Sequence, residues 1–327
     1  MLSSSEPART FLVFDGHAVI YRAYHAFPNL TDPEGRLVNA VYGFSRILLK
    51  TISDFQPDFV AVAFDHPKPT FRHEAFTDYK AHREAMPEDL RPQIELIKEV
   101  VDILNMPKFE LEGYEADDLV GTLAAKVTAE HIPSVVDRTV IVSGDSDLLQ
   151  LVTDKTQVFI PQRGKFGKDT LYVPTTVEKK YGFPPARLTQ LKALTGDSSD
   201  NIPGVPGIGP KTAVKLLSYA DSLEALFELV EKIQAGDGDV LKDAAMKKAF
   251  SKRIVNLLSE HKEQAEMSQQ LAIIDTKVPI EFDLEKCRLQ SYDRNKAAAV
   301  FEDLSFKSLV RLLPEDAFEA GVQSALF

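Results

Sequence analysis

The chain has 327 residues, 44% of them hydrophobic, which is enough for a sizeable core and, by length, for about two domains. Its single cysteine, Cys287, excludes an intrachain disulfide and fits a reducing cytosol. There is no N-terminal signal-peptide run and no apolar run long enough to cross a bilayer, so we expect a soluble protein without a membrane partner. The net charge of −11, taken alone, argues against nucleic acid.

Three short apolar runs each lead into aspartate. Residues 11–14 run into Asp15, residues 59–64 run into Asp65, and residues 140–142 are soon followed by Asp145 and Asp147. Such runs, separated by helices, predict buried parallel strands, and ligands bind beyond the carboxyl ends of parallel strands. We therefore predict an α/β fold with a central, mostly parallel sheet flanked by helices, whose strands aim these acids at one edge.

Two stretches have the apolar spacing of amphipathic helices. The first, around 39–51, presents Val41, Phe44, Leu48 and Ile52, and the second presents Leu90, Ile94, Ile97, Val101 and Leu104. Both stripes are most simply core. Between them, residues 66–91 combine prolines, basic residues and aromatic residues without a steady period. We predict a long mobile loop there, near the acidic edge; an ordinary surface loop has the same composition.

Further acids follow along the chain. Glu115, Asp117 and Asp118 begin an apolar helical run, where negative charge at a helix N-terminus is worth about 0.3–1 kcal/mol and is sufficient explanation by itself. Two more acids lie in a polar turn at 195–201. The candidate cluster then contains nine carboxylates: Asp15, Asp65, Glu115, Asp117, Asp118, Asp145, Asp147, Asp197 and Asp200.

Nine carboxylates at one place need a compensating charge. Two like charges about 4 Å apart repel by roughly 4 kcal/mol at an effective dielectric constant near 20, so several such pairs would remove most of a domain's stability. An all-oxygen site favours Mg²⁺ (or Mn²⁺) over zinc, and a cluster of this size has room for two or more ions. Paired ions serve in-line attack at phosphate. Nine of the negative charges would belong to the cluster, which leaves −2 for the rest of the chain.

After a hairpin predicted from residues 158–160 and 170–173, strand patterns become scarce, and we predict helical architecture from Pro174 onward. Residues 207–213 have the sequence Gly-Ile-Gly-Pro-Lys-Thr-Ala. The glycines allow a tight turn and close backbone approach, and the following helix offers N–H groups to a phosphate. The run resembles a helix-hairpin-helix, which holds a DNA backbone without reading its sequence. Residues 239–262 are rich in Lys and Arg, although a solvated helix face explains such a patch equally well.

The motifs occur together in the order and spacing of a known family. They are Phe14-Asp15-Gly16, Phe64-Asp65, Tyr114 to Asp118, Gly144 to Leu148, Gly196 to Asn201 and Gly207 to Ala213. Over roughly residues 10–312 the chain resembles the 5′-nuclease (5′-3′ exonuclease) domain of bacterial DNA polymerase I, within the flap endonuclease family. Two positions depart from the family pattern, since Ser146 replaces a commonly basic residue and Ser143 stands where Thr is frequent.

The resemblance implies a role for each acid. One metal ion would be held by Asp15, Asp65, Glu115 and Asp117, and the second by Asp145, Asp147 and Asp200, while Asp118 and Asp197 would act through water or at a weaker site. The family also implies a K⁺ ion at the helix-hairpin-helix.

The resemblance further implies DNA contacts. Tyr21 would stack on a base and Arg22 would contact phosphate, although core packing and a surface charge are the plainer interpretations of these two residues. Phe71-Arg72, Tyr79-Lys80 and Arg83 match a helical arch that passes a single-stranded 5′ end, and Lys80 or Arg72 would stabilise charge on the reacting phosphate. Gly207, Gly209, Lys211 and Thr212 would hold the downstream duplex.

The implied organisation is a PIN-like α/β nuclease core at 10–173, with a helical arch at about 66–95, and a helical DNA-binding part at 174–312, with the helix-hairpin-helix at about 188–218. The implied function is metal-dependent hydrolysis of DNA as a 5′-3′ exonuclease and 5′-flap endonuclease that leaves 5′-phosphate products, in replication and repair. We expect a cytoplasmic, nucleoid-associated monomer with a DNA polymerase as a covalently linked or separate partner.

Three rival functions remain open from the residues alone. A phosphatase with Asp15 as nucleophile needs a second acid two residues later, where the sequence has His17. A non-enzymatic DNA-binding module would use the acids only to fold around a cation. A PIN-type RNA nuclease shares the acidic edge but needs neither the arch nor the helix-hairpin-helix.

Overall fold

Six strands and fourteen α-helices lie within residues 8–128, 135–161, 168–289 and 292–314, the part of the chain that the computed structural model describes. The strands are β1 (Thr10–Asp15), β2 (Phe59–Ala63), β3 (Lys108–Phe109), β4 (Arg138–Val142), β5 (Thr156–Ile160) and β6 (Thr170–Tyr172). The helices are α1 (Gly16–Ala26), α2 (Asn39–Phe55), α3 (Phe71–Ala75), α4 (Arg91–Ile103), α5 (Ala116–Thr128), α6 (Pro174–Tyr181), α7 (Leu188–Thr195), α8 (Pro210–Leu217), α9 (Leu223–Gln234), α10 (Ala244–Ala249), α11 (Lys252–Glu260), α12 (Lys262–Ala272), α13 (Arg294–Asp303) and α14 (Lys307–Val310). Short 3₁₀ helices cover Asp147–Leu151, Pro185–Arg187, Gly238–Val240 and Glu285–Cys287.

The chain forms two compact units. Unit 1 comprises Met1–Pro69, Ala85–Val173 and Asp275–Phe327, and unit 2 comprises Thr70–Glu84 and Pro174–Ile274. All six strands belong to unit 1. The compact units therefore assign residues 70–84 and the segment from Asp275 differently from the expected domains, whose boundaries stay a prediction.

Unit 1 is built on one six-stranded sheet in the order β3-β2-β1-β4-β5-β6. The pairs from β3 to β5 are parallel, and β6 pairs antiparallel with β5, which confirms the mostly parallel sheet and the terminal hairpin. The turn of that hairpin, at 162–167, lies outside the described residues. The order places β2, β1 and β4 side by side, so their carboxyl ends share one edge.

The core of unit 1 explains why its strands are apolar on both faces. Leu12 and Phe14 pack into one cluster with the predicted stripes of α2 and α4, whose apolar residues are buried. The alternate residues Phe11 and Val13 are equally buried and point to the opposite face, because successive side chains of a strand alternate. Helix α5 packs against β1, β2 and β4. Cys287 is also buried, and burial raises the pKa of its thiol to about 12.

The stretch after Asp65 is mostly irregular, as predicted, but it buries side chains that its composition does not identify. Within residues 66–90, all of which the structure describes, the one helix is the five-residue α3. Arg72 and Tyr79 are buried, at 2% and 3% exposure, and both pack within unit 2. Among the described residues, no helix has the length and apolar character required to cross a membrane.

Candidate functional site

The carboxyl ends of three neighbouring parallel strands each carry an aspartate in unit 1. Asp15 is the last residue of β1, Asp65 follows β2 by two residues, and Asp145 follows β4 by three. The register pairs Asp15 with Ala63 on β2 and Phe14 with Val142 on β4, so the three strands end level. The arrangement of these acids at one sheet edge is the one that the strand pattern predicted.

Asp15 is held by bonds to both of its carboxylate oxygens. Oδ1 accepts the backbone N–H of Ala18 at 3.0 Å, which caps the N-terminus of α1. Oδ2 accepts the hydroxyl of Ser143 at 2.6 Å, and the residue is 3% exposed. The side chain therefore has a fixed orientation, while each oxygen keeps a lone pair for a further ligand.

The environment of Asp15 disfavours its negative charge. Burial is the largest influence, and together with the charge of Asp65 and the smaller effect of Asp145 it raises the pKa of Asp15 to about 7. The bonds from Ser143 and Ala18 act in the opposite direction and are outweighed. A buried acid between two other acids is stabilised by a proton or by a cation.

Asp65 is positioned by α5 and by His17. Its Oδ1 accepts the N–H of Ala116, the first residue of α5, at 2.7 Å, so the carboxylate lies at the positive end of that helix. The backbone N–H of Asp65 donates to Nδ1 of His17 at 2.9 Å. Because Nδ1 accepts a hydrogen bond, the ring is assigned as neutral with its proton on Nε2, and its 3.5 Å approach to Oδ2 of Asp65 is not an ion pair.

The acids of α5 differ in their surroundings. Asp118 is fully buried, and its two oxygens accept the backbone N–H groups of Glu115 at 3.1 Å and of Asp275 at 2.8 Å. These bonds tie the first turn of α5 to the segment that begins at Asp275, which is a structural role independent of any metal. Glu115 is 8% exposed and Asp117 is half-buried.

The loop after β4 is ordered by its own hydrogen bonds. The Ser143 hydroxyl accepts the N–H of Asp145 at 2.9 Å, and Oδ1 of Asp145 accepts the N–H of Asp147 at 2.8 Å. Arg22 donates to the carbonyl of Gly144 at 3.1 Å and to that of Pro161 at 2.7 Å. These two hydrogen bonds from the Arg22 guanidinium hold the loop in place. The expected contact of Arg22 with phosphate stays a prediction.

The acids do not form a ready-made metal cage. Among the described residues, no group of three or more His, Cys, Asp or Glu side chains is arranged to hold a metal ion as the side chains stand. The assignment of ligands to two ions therefore stays a prediction. Asp197 and Asp200, which complete the predicted set of nine, belong to unit 2.

Asp197 is part of a charged turn in unit 2. Its Oδ2 accepts Nζ of Lys192 at 2.5 Å, and its Oδ1 accepts the N–H of Ser199 at 2.8 Å and the Ser199 hydroxyl. Burial raises the pKa of Asp197, but the bonds from Lys192 and Ser199 outweigh it and lower the pKa to about 2. Asp197 is thus an ionised, well-satisfied carboxylate.

Asp200 is bound by the residues that the sequence assigned to the arch. Arg83 donates to Oδ1 at 2.7 Å, the Tyr79 hydroxyl donates to Oδ2 at 3.3 Å, and Nζ of Lys80 lies 3.8 Å from Oδ2. The backbone N–H of Lys80 also donates to the Asp200 carbonyl at 2.9 Å. The predicted roles of Lys80 and Arg83 at DNA stay predictions.

Arg72, the other predicted catalytic cation, holds the end of a helix. Its Nε donates to the carbonyl of Leu271 at 3.0 Å and Nη2 to that of Ile273 at 2.7 Å, at the C-terminus of α12. A buried guanidinium suits this place, because the last carbonyls of a helix lack partners within the helix. This geometry gives Arg72 a structural role, and nothing in it supports the predicted catalytic one.

The predicted helix-hairpin-helix consists of α7, the turn 196–209 and α8. Gly204 has a left-handed φ of +61°, and a Cβ there would lie 2.1 Å from the Gly196 nitrogen, so the two backbones touch. From α12, Ser268 accepts the Gly204 N–H at 3.1 Å, and Gln264 donates to the Gly204 carbonyl at 2.5 Å. These bonds fix the turn. Lys211 is exposed and Thr212 is half-buried at the start of α8.

Several residues that order these sites were not assigned from sequence. Ser143 was noted only as a departure from the family, and His17, Gln264 and Ser268 were assigned no site role. Arg253 of α11 was counted within a basic stretch, and its Nη2 lies 3.6 Å from where a Cβ on Gly207 would be. In the sequence, only the charge of Arg253 indicated a possible role. The contacts of the other four residues join positions far apart in the chain, which no local pattern reveals.

Comparison with known proteins identifies the family. Residues 10–182 match the model of the 5′-3′ exonuclease N-terminal resolvase-like domain, and residues 183–295 match the model of the 5′-3′ exonuclease C-terminal SAM fold. DNA polymerase I of Bacillus subtilis (strain 168) is 40% identical over 318 residues, which are 97% of this chain and 34% of that protein. The chain spans about a third of the length of the curated relatives it matches.

Solved structures share the fold. T5 5′-exonuclease with divalent metal ions (zinc) bound has a TM-score of 0.60 at 20% identity, over 94% of this chain and 100% of that one. The catalytic core of Rad2 in complex with DNA substrate has a TM-score of 0.55 at 15% identity, over 93% of each chain.

The chain belongs to the 5′-3′ exonuclease family. This confirms the predicted family, the fold class and the class of activity, which is that of a 5′-3′ exonuclease. It excludes the phosphatase and the purely binding module as descriptions of the chain.

Proposed function

We propose that this chain is a structure-specific DNA 5′ nuclease, both 5′-3′ exonuclease and 5′-flap endonuclease, that hydrolyses phosphodiester bonds with divalent metal ions and leaves 5′ phosphates. The observation that carries the proposal is the convergence of Asp15, Asp65 and Asp145 at the ends of three adjacent parallel strands. The raised pKa of Asp15 supports it, because a buried acid between acids is relieved by a cation.

The donor chemistry fits Mg²⁺ or Mn²⁺. The acids at this edge offer oxygen atoms only, which hard divalent ions prefer. The carboxylates of Asp15, Asp65 and Asp145 are already oriented by backbone or hydroxyl donors. Asp15, Asp65, Glu115 and Asp117 would hold one ion, and Asp145 and Asp147 would contribute to the second. When bound, the ions would supply hydroxide at neutral pH and stabilise the leaving oxygen. The metal-bound T5 structure supports divalent ions as the cofactor class.

The contribution of the chain itself is orientation. Ser143 and the N–H of Ala18 fix Asp15, the N-terminus of α5 fixes Asp65, and the N–H of Asp147 fixes Asp145. Side chains held in this way lose little freedom when a metal ion binds, and the ions that they would hold in fixed positions would stabilise charge on a reacting phosphate. Lys80 remains the proposed cation for the charge that develops there.

Unit 2 contains the proposed binding site for duplex DNA. The turn of the helix-hairpin-helix exposes Gly207, Gly209 and Lys211, and Arg253 adds a cation beside Gly207. Backbone N–H groups and cations hold phosphates without reading bases. The Rad2 complex with DNA supports a DNA partner. The proposal also includes a K⁺ ion at this turn and a DNA polymerase as a linked or separate partner. It further includes a monomeric state and a cytoplasmic, nucleoid-associated location.

Cleavage of a labelled 5′-flap duplex tests the proposal. Wild-type protein should release the flap in Mg²⁺ and not in EDTA, with a 5′ phosphate on the duplex product, and should cut an RNA hairpin poorly. Asp145→Asn should lower the rate by about a hundredfold or more, since a ligand of the metal loses its charge. The matched control is Asp154→Asn, an exposed acid between β4 and β5, which should cut at the wild-type rate. Wild-type cleavage by Asp145→Asn would contradict the assignment.

A further inference from the structure

A pocket of about 340 Å³ lies in unit 1, and none of the nine candidate carboxylates is among its described lining residues. Its walls come from the C-terminal half of α1, from α2 and from the residues that flank β5 and β6. Ligand pockets are commonly about 300–1,000 Å³, so this one is large enough for a small molecule. Neither the family assignment nor the acidic edge explains it.

The charge of the pocket selects an anion. Among the residues that the structure describes, Arg22, Arg46 and Lys50 line it together with one carboxylate, that of Asp169. Lys50 is bonded to Asp54 at 2.5 Å and to Asp169 at 3.2 Å, so part of its charge is neutralised. In a chain with a net charge of −11, three cations around one cavity are a local reversal of sign.

Arg46 is the cation best placed to receive a ligand. It is exposed, and its guanidinium lies 5.9 Å from the centre of the Phe27 ring. Within the described ranges it makes no hydrogen bond or ion pair. A phosphate at this side chain would therefore gain charge-assisted hydrogen bonds without breaking any that the described residues make.

The remaining wall is suited to a flat apolar group. Phe27, Phe159 and Ile47 line the same cavity. Base–aromatic stacking is worth about 1–3 kcal/mol and tolerates every base. A phosphate alone would leave these side chains unused, and an apolar molecule alone would leave the cations unused. We propose that this pocket binds a nucleotide, with its phosphate at Arg46 and Lys50 and its base against the aromatic wall.

Arg22 links the pocket to the loop after β4. The same guanidinium that lines the pocket donates to the carbonyl of Gly144, next to Asp145. It also packs closely, because a Cβ on Gly144 would lie 2.9 Å from Nε of Arg22. We therefore expect a nucleotide in the pocket to change the environment of the Gly144 amide. The nucleotide is either a free deoxynucleoside monophosphate or one residue of a DNA strand, which share the same chemistry.

Calorimetric titration in EDTA tests the proposal independently of cleavage, because the proposed cleavage needs the metal ions that EDTA removes. The metal-free acidic edge also repels phosphate, so the probes should not bind there. The probes are dAMP, deoxyadenosine, inorganic phosphate and a short single-stranded oligonucleotide. Wild-type protein should bind dAMP or the oligonucleotide more tightly than deoxyadenosine or phosphate. Arg46→Gln should weaken that binding about tenfold or more, as expected for lost hydrogen bonds to a charged group. Lys296→Gln, an exposed cation on α13, should not change it.

A second variant and a second measurement make the outcome decisive. Ala26→Leu fills the pocket at an exposed position without changing charge and should weaken binding of the same probe. In backbone NMR spectra the probe should shift the Gly144 amide and leave Gly236 of unit 2 unchanged. Dependence on Arg46 for dAMP identifies a free nucleotide, and dependence for the oligonucleotide alone identifies a DNA strand. Equal binding by Arg46→Gln and Lys296→Gln, or no binding of either nucleotide probe, overturns the proposal.

Discussion

The guanidinium of Arg83 donates to Oδ1 of Asp200 at 2.7 Å. The first residue was predicted to contact DNA and the second to bind a metal, and here each satisfies the other. Asp200 is nearly buried, whereas Arg83 is about half exposed. The pair therefore stabilises unit 2 in the absence of ligands, and any metal ion at Asp200 or phosphate at Arg83 would bind beside this hydrogen bond or replace it.

The pair should be measurable as a coupling free energy. Arg83→Gln should lower the free energy of unfolding by about 1 kcal/mol in EDTA, the upper range for partly exposed ion pairs. When Arg83→Gln is added to the Asp200→Asn variant, the further loss of unfolding free energy should be clearly smaller, because the carboxylate is already absent. Urea denaturation of the four proteins gives the coupling. Lys262→Gln, which breaks an exposed pair with Glu231, is the control and should cost less than Arg83→Gln. Additive effects of the two changes would contradict the finding.

Asp15 predicts a pH dependence of stability. Its pKa is about 7 in the folded chain and near 3.8 when unfolded, so between these values the folded state binds the extra proton. Raising the pH from 4 to 7 should therefore remove stability, by up to about 1 kcal/mol per pH unit, with the loss complete above the folded pKa. Asp15→Asn should lack this slope.

The measurement is the difference in unfolding free energy between wild type and Asp15→Asn across that window in EDTA. Mg²⁺ should reduce the difference at high pH if Asp15 is a ligand, because a bound ion stabilises the ionised form. Asp154→Asn is the control with an exposed acid. A difference in unfolding free energy that does not change with pH would show that the fold does not raise the pKa of Asp15.

Arg72 should prove structural rather than catalytic. Arg72→Lys removes the fork that reaches both Leu271 and Ile273 and should lower the unfolding free energy by about 2–3 kcal/mol, since it leaves a buried carbonyl unsatisfied. Flap cleavage by the protein that remains folded should stay close to wild type. The control is Arg91→Lys at the exposed start of α4. Lost cleavage at unchanged stability would restore the catalytic prediction.

Gly204 should tolerate no side chain. Gly204→Ala should cost more than about 3 kcal/mol, because a Cβ at 2.1 Å from the Gly196 nitrogen forces two backbones apart. Gly236→Ala is the matched control, since its φ of +86° is also left-handed but nothing lies within 4 Å. It should cost only the left-handed strain of about 1–2 kcal/mol. Chemical denaturation compares the two, and equal costs would contradict the close approach.

The sequence predicted the sheet edge well because strand patterns are local. Asp15, Asp65 and Asp145 each follow an apolar run directly, and parallel pairing then places strand ends together by topology. The helical stripes of α2 and α4 were predicted for the same reason, since a period of 3.6 residues needs no knowledge of the partner surface.

The partners of the charged side chains were not predictable in this way. The bond from Ser143 to Asp15 spans 128 positions, that from Asp275 to Asp118 spans 157, and that from Arg72 to Leu271 spans 199. No periodicity carries such pairings. Composition predicted a loop at residues 66–91, and the stretch is mostly irregular. It did not predict the burial of Arg72 and Tyr79, because these residues carry no sign of burial until the surface they pack against is known.

Cys287 gives this molecule a practical property. Its thiol is buried and has a pKa near 12, so at neutral pH it is almost never a thiolate and reacts slowly. New cysteines at the exposed positions Lys307 in unit 1 and Lys232 in unit 2 would accept fluorophores or spin labels with little background from the native residue. Distance measurements between two such labels would then follow the units in solution, with and without DNA.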